Sequence, residues 1–170
     1  MALYLTKPTR RHRRAWVALC GEFKQAGEKA HAGEGDTYGK FLRHCRNETK
    51  GRKLPEGFVP ATKLFLMEEG SPKILGVFHI RHRLSDKLLH FGGHIGYAVA
   101  PSERQKGYAT ESLRLGLQLC RDMNINRVLI TCNKDNIASA KVIRNNGGVL
   151  EDERQQDDGT IFQRYWIDLT

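Results

Sequence analysis

The chain has 170 residues, of which 28% are charged and 39% hydrophobic, and carries a formal net charge of +9. That length suits one domain with a sizeable core, and no apolar run approaches the ~20 residues needed to cross a bilayer. The basic N-terminus also lacks a signal-peptide core, because residues 15–20 are too few and run into Gly21-Glu22-Phe23-Lys24. A cytoplasmic protein without membrane contact is expected.

The charge is unevenly spread. Residues 1–60 hold 13 basic and 6 acidic groups, residues 61–150 hold 13 and 7, and residues 151–170 hold 2 and 6. Basic surface of this kind attracts nucleic acid, ribosomes or an anionic cofactor, or is ordinary solvated charge. The four cysteines, Cys20, Cys45, Cys120 and Cys132, form no C-x-x-C pair. Reduced packing thiols are expected, and no metal site.

In chain order, residues 2–6 alternate like a first strand, which Pro8 ends. Thr9 is placed to cap a helix over 10–28, with Trp16, Leu19, Cys20 and Phe23 on one face. Arg10, Arg11, Arg13 and Arg14 fall in its first turns, the wrong end for cations on a helix dipole. They read as a solvated face or as a contact for an acidic partner or nucleic acid. Residues 30–37 read as a loop, 38–48 as a second helix, and 51–60, with two prolines and two glycines, as another loop. Strands are expected over 63–68 and 73–84, antiparallel across Gly70-Ser71-Pro72. Alternation puts Phe78, Ile80 and His82 on one face and His79, Arg81 and Arg83 on the other. Residues 84–91 then connect to the next strand.

Residues 93–120 read as strand, sharp break and helix. Ile95, Tyr97 and Val99 alternate with small residues, and Pro101 and Ser102 stop the strand. After the break, Ala109, Leu113, Gly116, Leu117 and Cys120 recur at helical steps as one apolar stripe. The first turn of such a helix has four backbone N–H groups without partners inside it, an arrangement that binds phosphate. Gly107 and Ala109 lack bulk, and Arg104 and Lys106 add charge. Phosphate binding and a plain solvated loop both fit. Neither a P-loop nor a G-x-G-x-x-G dinucleotide fingerprint is present. A buried strand over 127–131 follows, then a helix with Ser139, Val142, Ile143 and Asn146 on one side, ending at Gly147-Gly148. Residues 149–155 and 161–169 form a hairpin across Asp158-Gly159. This order implies one domain over 1–170, a mixed α/β layer with helices on both faces.

Arg104-x-x-Gly107-x-Ala109 resembles the pyrophosphate-binding motif of the GNAT N-acetyltransferase superfamily, R/Q-x-x-G-x-G/A. Val99-Ala100-Pro101 before it and the segment from Asn136 through Ser139 to Gly147 after it strengthen the likeness, which covers roughly residues 60–170. Within the superfamily, Y-L-T-K-P, F-x-I-R-H-R-L, G-G-H-I-G-Y and D-N-I-A-S-A are similar to a little-characterised group of predicted acetyltransferases. The resemblance implies a mostly antiparallel GNAT sheet, acetyl-CoA as cofactor and an amine as acceptor. It places residues 1–60 near the acceptor site and an acetyl-CoA-binding core at 93–147. Ala98, Val99 and Ala100 would offer backbone groups to the pantetheine arm. The loop Arg104, Gln105, Lys106, Gly107, Tyr108, Ala109 and Thr110, with Asn136 and Ser139, would complete the cofactor site.

For the catalytic groups the resemblance leaves gaps. No carboxylate lies between Lys87 and Ser102, where many relatives carry a glutamate. His94 is therefore the first candidate base, with His79 and His82 as alternatives and Tyr97 as a substrate-binding group; a histidine near pKa 6.5 suits amine deprotonation. The tyrosine that protonates the thiolate in many relatives corresponds to Ile143, which cannot. N-x-x-S at Asn136–Ser139 is similar to branches that acetylate protein N-termini, including ribosomal ones. The reading is direct transfer from acetyl-CoA to a primary amine on a small molecule or peptide, with a ribosomal or nucleic-acid partner and a homodimer left open. A CoA-binding module with little turnover, a longer acyl donor and a nucleic-acid-binding module are the alternatives.

Overall fold

The computed structural model describes residues 1–170 and arranges its strands as two sheets. The first has the order β1 (Leu3–Thr6), β2 (Ala61–Glu68), β3 (Ile74–Arg81), β4 (Ile95–Val99), all antiparallel. The second has β7 (Ile161–Asp168) between β5 (Arg127–Asn133) and β6 (Val149–Gln155), also antiparallel. The helices are α1 (Arg13–Gln25), α2 (Tyr38–Thr49), a short α3 (Asp86–His90), α4 (Tyr108–Asp122) and α5 (Ile137–Asn145).

Strand alternation gives the first sheet two apolar faces. Phe65, Met67, Ile74 and Val77 pack with Trp16, Leu19 and Phe23 of α1 and Tyr38, Phe41, Leu42 and Cys45 of α2. Trp16, Tyr38, Phe41 and Phe65 form a run of rings with centroids 5.1–6.1 Å apart. Each such pair adds about 0.5–1.5 kcal/mol beyond burial. On the opposite face, Leu64, Phe78, Ile80 and Ile95 meet Leu113, Leu117 and Cys120 of α4. Val128, Ile130 and Cys132 of β5 and Ile143 of α5 join the same cluster, so it spans both sheets.

Three elements differ from the sequence expectation. The helix over 10–28 becomes a 3-10 turn at Arg10–His12 followed by α1. Gly27, at φ +69, ends α1, and the Glu28 N–H donates to the Phe23 carbonyl, a Schellman closure. The strand expected to 84 stops at Arg81, and Ser85 caps α3 inside what was read as a connector. The single layer is two sheets joined by one isolated bridge, Gly93 to Ile130. No helix is long and apolar enough to cross a membrane.

Gly116 shows how tightly α4 seats on β3. A Cβ there would lie 2.1 Å from Phe78 Cζ, and Phe78 is fully buried. Overpacking costs about 1–3 kcal/mol, against roughly 1 kcal/mol that Ala gains over Gly in a helix. Gly116→Ala should lower stability by up to about 2 kcal/mol, read as a lower urea midpoint with unchanged slope.

Candidate active site

The two sheets part at the start of β4. Gly92 and Gly93 take left-handed φ values of +113 and +63, and a Cβ on Gly93 would fall 2.4 Å from the Leu129 carbonyl oxygen. Arg81 of β3 donates from Nη1 to the carbonyls of both glycines, each at 3.1 Å, and the Gly92 N–H donates to Thr131 Oγ1. His94 then makes two links to β5. Its N–H donates to the Leu129 carbonyl at 2.8 Å, and its Nδ1 accepts the Leu129 N–H at 3.0 Å. The imidazole thus takes the amide that another β4 carbonyl would take in a continuous ladder.

Beyond this vertex β4 pairs only with β3. The Ala100 N–H donates to the Leu75 carbonyl and the His94 carbonyl accepts from Arg81, so even-numbered residues of β4 spend their backbone groups on β3. By alternation, Tyr97 and Val99 turn theirs toward β5. Of the expected pantetheine contacts, Val99 therefore faces the gap, while Ala98 and Ala100 are occupied by the sheet. Arg104 Nε approaches the Val99 carbonyl at 3.4 Å.

The loop between β4 and α4 leads into an open helix end. Gly107 is the N-cap of α4 at φ +81 and supplies no side-chain cap. The N–H groups of Tyr108, Ala109 and Thr110 find no acceptor, and nothing lies within 4 Å of where a Gly107 Cβ would be. Uncapped amides facing open space fit a phosphate. The two loop cations are committed elsewhere. Arg104 forms a bidentate pair with Glu28 at 2.9 and 2.6 Å, and Lys106 pairs with Glu103 at 2.8 Å. Gln105, at φ +63, turns the loop between them. At α5, Asn136 caps the helix by accepting the Ser139 N–H, and Ser139 Oγ lies 2.9 Å from the Tyr97 hydroxyl. Burial pushes the Tyr97 phenol up to about 12, so it keeps its proton. Ile143 is fully buried beside it.

The three histidines have different surroundings. His94 is buried, and its pKa is pushed down to about 4 by burial and then by Arg81. With Nδ1 already accepting, it has no free lone pair, so the geometry opposes the base role that the sequence suggested for it. His82 Nε2 lies 2.8 Å from Thr62 Oγ1. His79 lies beside Gly96 in the ladder, and a Cβ on Gly96 would meet nothing within 4 Å. His79 Nε2 is buried 3.4 Å from Glu48 Oε1 but off hydrogen-bond alignment, and it has no hydrogen-bond partner. Burial lowers the His79 pKa, so the ring is neutral at neutral pH. Glu48 Oε2 accepts from Lys63 Nζ at 3.1 Å. Burial would raise the Glu48 pKa, but His79 and Lys63 outweigh it and hold it near 2. The sequence reading missed Glu48 and Lys63. A signal existed, since Phe41, Cys45 and Glu48 fall at helical steps on one stripe and a carboxylate there is out of place.

The sequence matches the acetyltransferase (GNAT) domain over residues 2–149. The chain belongs to the GNAT acetyltransferase family. That membership supports an acyltransferase enzyme. Residues of the chain are 36% identical over 62 positions to the uncharacterized N-acetyltransferase YnaD of Bacillus subtilis, a match spanning 34% of this chain and 36% of that protein. Similar solved structures cover nearly the whole chain. The microcin C7 self-immunity acetyltransferase MccE, with acetyl-CoA and AMP, has a TM-score of 0.69 at 18% identity over 98% of this chain and 92% of its own. The ribosomal L7/L12 alpha-N-protein acetyltransferase RimL, with CoA, gives 0.71 at 19% over 99% and 95%. The Salmonella typhimurium enzyme that modifies the N-terminal serine of L7/L12 gives 0.70 at 20% over 100% and 96%. The mostly antiparallel GNAT fold is thereby shown, and the expected acetyl-CoA agrees with what MccE binds.

The vertex makes a pH prediction. The folded pKa of His94, about 4, lies below its ordinary 6.5. The unfolded chain therefore binds more protons between those values, and this contribution is complete above about 6.5 and lost as pH falls toward 4. Denaturation midpoints of the wild type should fall across that window. In His94→Asn, whose Oδ1 takes the position of Nδ1 and can still accept the Leu129 N–H, that part of the slope should vanish.

Proposed function

We propose that this protein transfers an acetyl group from acetyl-CoA to the N-terminal amine of a peptide, in a ternary complex and without a covalent enzyme intermediate. The observation that carries the reading is the uncapped N-terminus of α4 opening beside the gap between β4 and β5. Bound there, acetyl-CoA would supply an activated thioester for direct attack by the amine. The amides of Tyr108, Ala109 and Thr110 would hold the pyrophosphate, and the backbone groups of Tyr97 and Val99 would align the arm. A peptide amine is favoured over other primary amines because RimL and the Salmonella typhimurium neighbour act on a protein N-terminus.

His79 is the proton acceptor in this reading. Its ring is neutral, and Glu48 beside Nε2 favours the tautomer with the proton there. Nδ1 makes no hydrogen bond and keeps its lone pair for the amine proton. The imidazolium so formed would be stabilised by the ionised Glu48. On the α5 side, Tyr97 and Ser139 hold hydroxyl protons where Ile143 has none to give.

Buried Ile143 favours a second reading, a CoA-binding module with little turnover. Incubation with acetyl-CoA and peptides bearing free N-termini, followed by detection of free thiol, separates the two: tight CoA binding without thiol release would support the module. In an active enzyme, His79→Gln should lower kcat about a hundredfold or more while changing acetyl-CoA affinity little. An unchanged kcat would remove His79 from the mechanism. Ala109→Glu places a carboxylate in the first turn of α4, where the helix dipole favours it. It should weaken acetyl-CoA binding about tenfold or more by occupying the same amides. Equal calorimetric affinity in that variant would place the pyrophosphate elsewhere.

A further inference from the structure

A cleft of about 330 Å³ opens between the outer side of α2 and the loop at 52–54. Lys40 and Arg43 of α2 and Arg52 and Lys53 of the loop line it, facing Asp36 and Glu48. None of these four cations is ion-paired. The charge of Glu48 is answered by Lys63, so the four cations face one uncompensated carboxylate, Asp36. Lys53 is held at φ +54, a backbone state that costs a non-glycine residue about 1 kcal/mol or more. Unpaired like charges gathered in a concave site repel one another, and an anionic ligand removes that repulsion.

The cleft is one side chain from the proposed chemistry. Glu48 forms part of its wall, and the Oε1 atom of the same carboxylate faces His79. His79 in turn sits beside Gly96 on β4. We infer that this cleft binds acidic side chains of the acceptor, so that the enzyme selects peptides carrying Asp or Glu downstream of the amine; this rests on the transferase reading above. Nucleic acid is the poorer fit. Its only aromatic ring is the imidazole of His44 and Leu54 is its one apolar residue, so a base finds little to stack on.

Two peptides test this, sharing an N-terminal dipeptide and differing downstream in Asp and Glu against Asn and Gln. Anisotropy at low salt measures binding to the full chain, and free thiol measures turnover. The wild type should bind the acidic peptide at least about tenfold more tightly, as expected for two or more charge-assisted contacts. The exposed triple variant Lys40→Gln, Arg43→Gln, Arg52→Gln should erase that preference. Equal binding of both peptides by the wild type would overturn the inference, as would a preference that survives in the variant. Displacement of the acidic peptide by an equimolar single-stranded oligonucleotide would also overturn it and assign the cleft to nucleic acid. Selective binding without thiol release would keep the cleft and sink the transferase reading. Turnover of both peptides with equal kcat/KM would do the reverse.

Discussion

The structure depends on the place where β4 leaves β5. A continuous ladder between them would close the fold into one sheet and leave no room between the strands. Gly93 permits a backbone approach that any Cβ would block, and His94 takes the Leu129 amide with its ring. Arg81 fixes the glycine carbonyls from the other side. An unpaired buried amide costs about 1–3 kcal/mol, so the histidine satisfies Leu129 while ending the pairing. The gap, the backbone groups of Tyr97 and the Val99 N–H turned toward it, and the approach to the α4 N-terminus all follow from that break.

Charge is distributed to match. On the α2 face, Lys63 keeps Glu48 ionised and His79 stays neutral. On the second sheet, the fully buried Arg164 binds Glu151, Asp152 and the Leu89 carbonyl, so β7, β6 and the end of α3 are tied through one guanidinium. Removing one member of such a group is costly because it strands the others. Near the cofactor loop the pattern reverses. Arg104 and Lys106 are neutralised by Glu28 and Glu103, and the backbone amides of α4 remain free.

The sequence made some of this legible and hid the rest for physical reasons. The strand, break and helix over 93–120 could be read because Pro101, Gly107 and the stripe from Ala109 to Cys120 are local signals. The hairpin of β6 and β7 was visible from its Asp158-Gly159 turn. What stayed hidden was pairing across distance. Arg104 meets a carboxylate 76 positions away, and Glu48 meets Lys63 and His79 on two different strands. His94 was singled out by residue type, yet its role turns on Nδ1 being already bonded to β5, which no spacing reveals. Alternation placed His79 and Arg81 on one face, but only the packing of α2 shows that His79 meets a carboxylate there.

The most direct measurement is amide mapping by NMR during titration with acetyl-CoA. Acetyl-CoA entering the gap should give the largest shifts at Tyr97 and Val99 of β4 and at Tyr108, Ala109 and Thr110 of α4, with Ala98 and Ala100 moving less because their backbone groups stay in the sheet. Shifts centred away from the gap, or equal along all of β4, would contradict that placement.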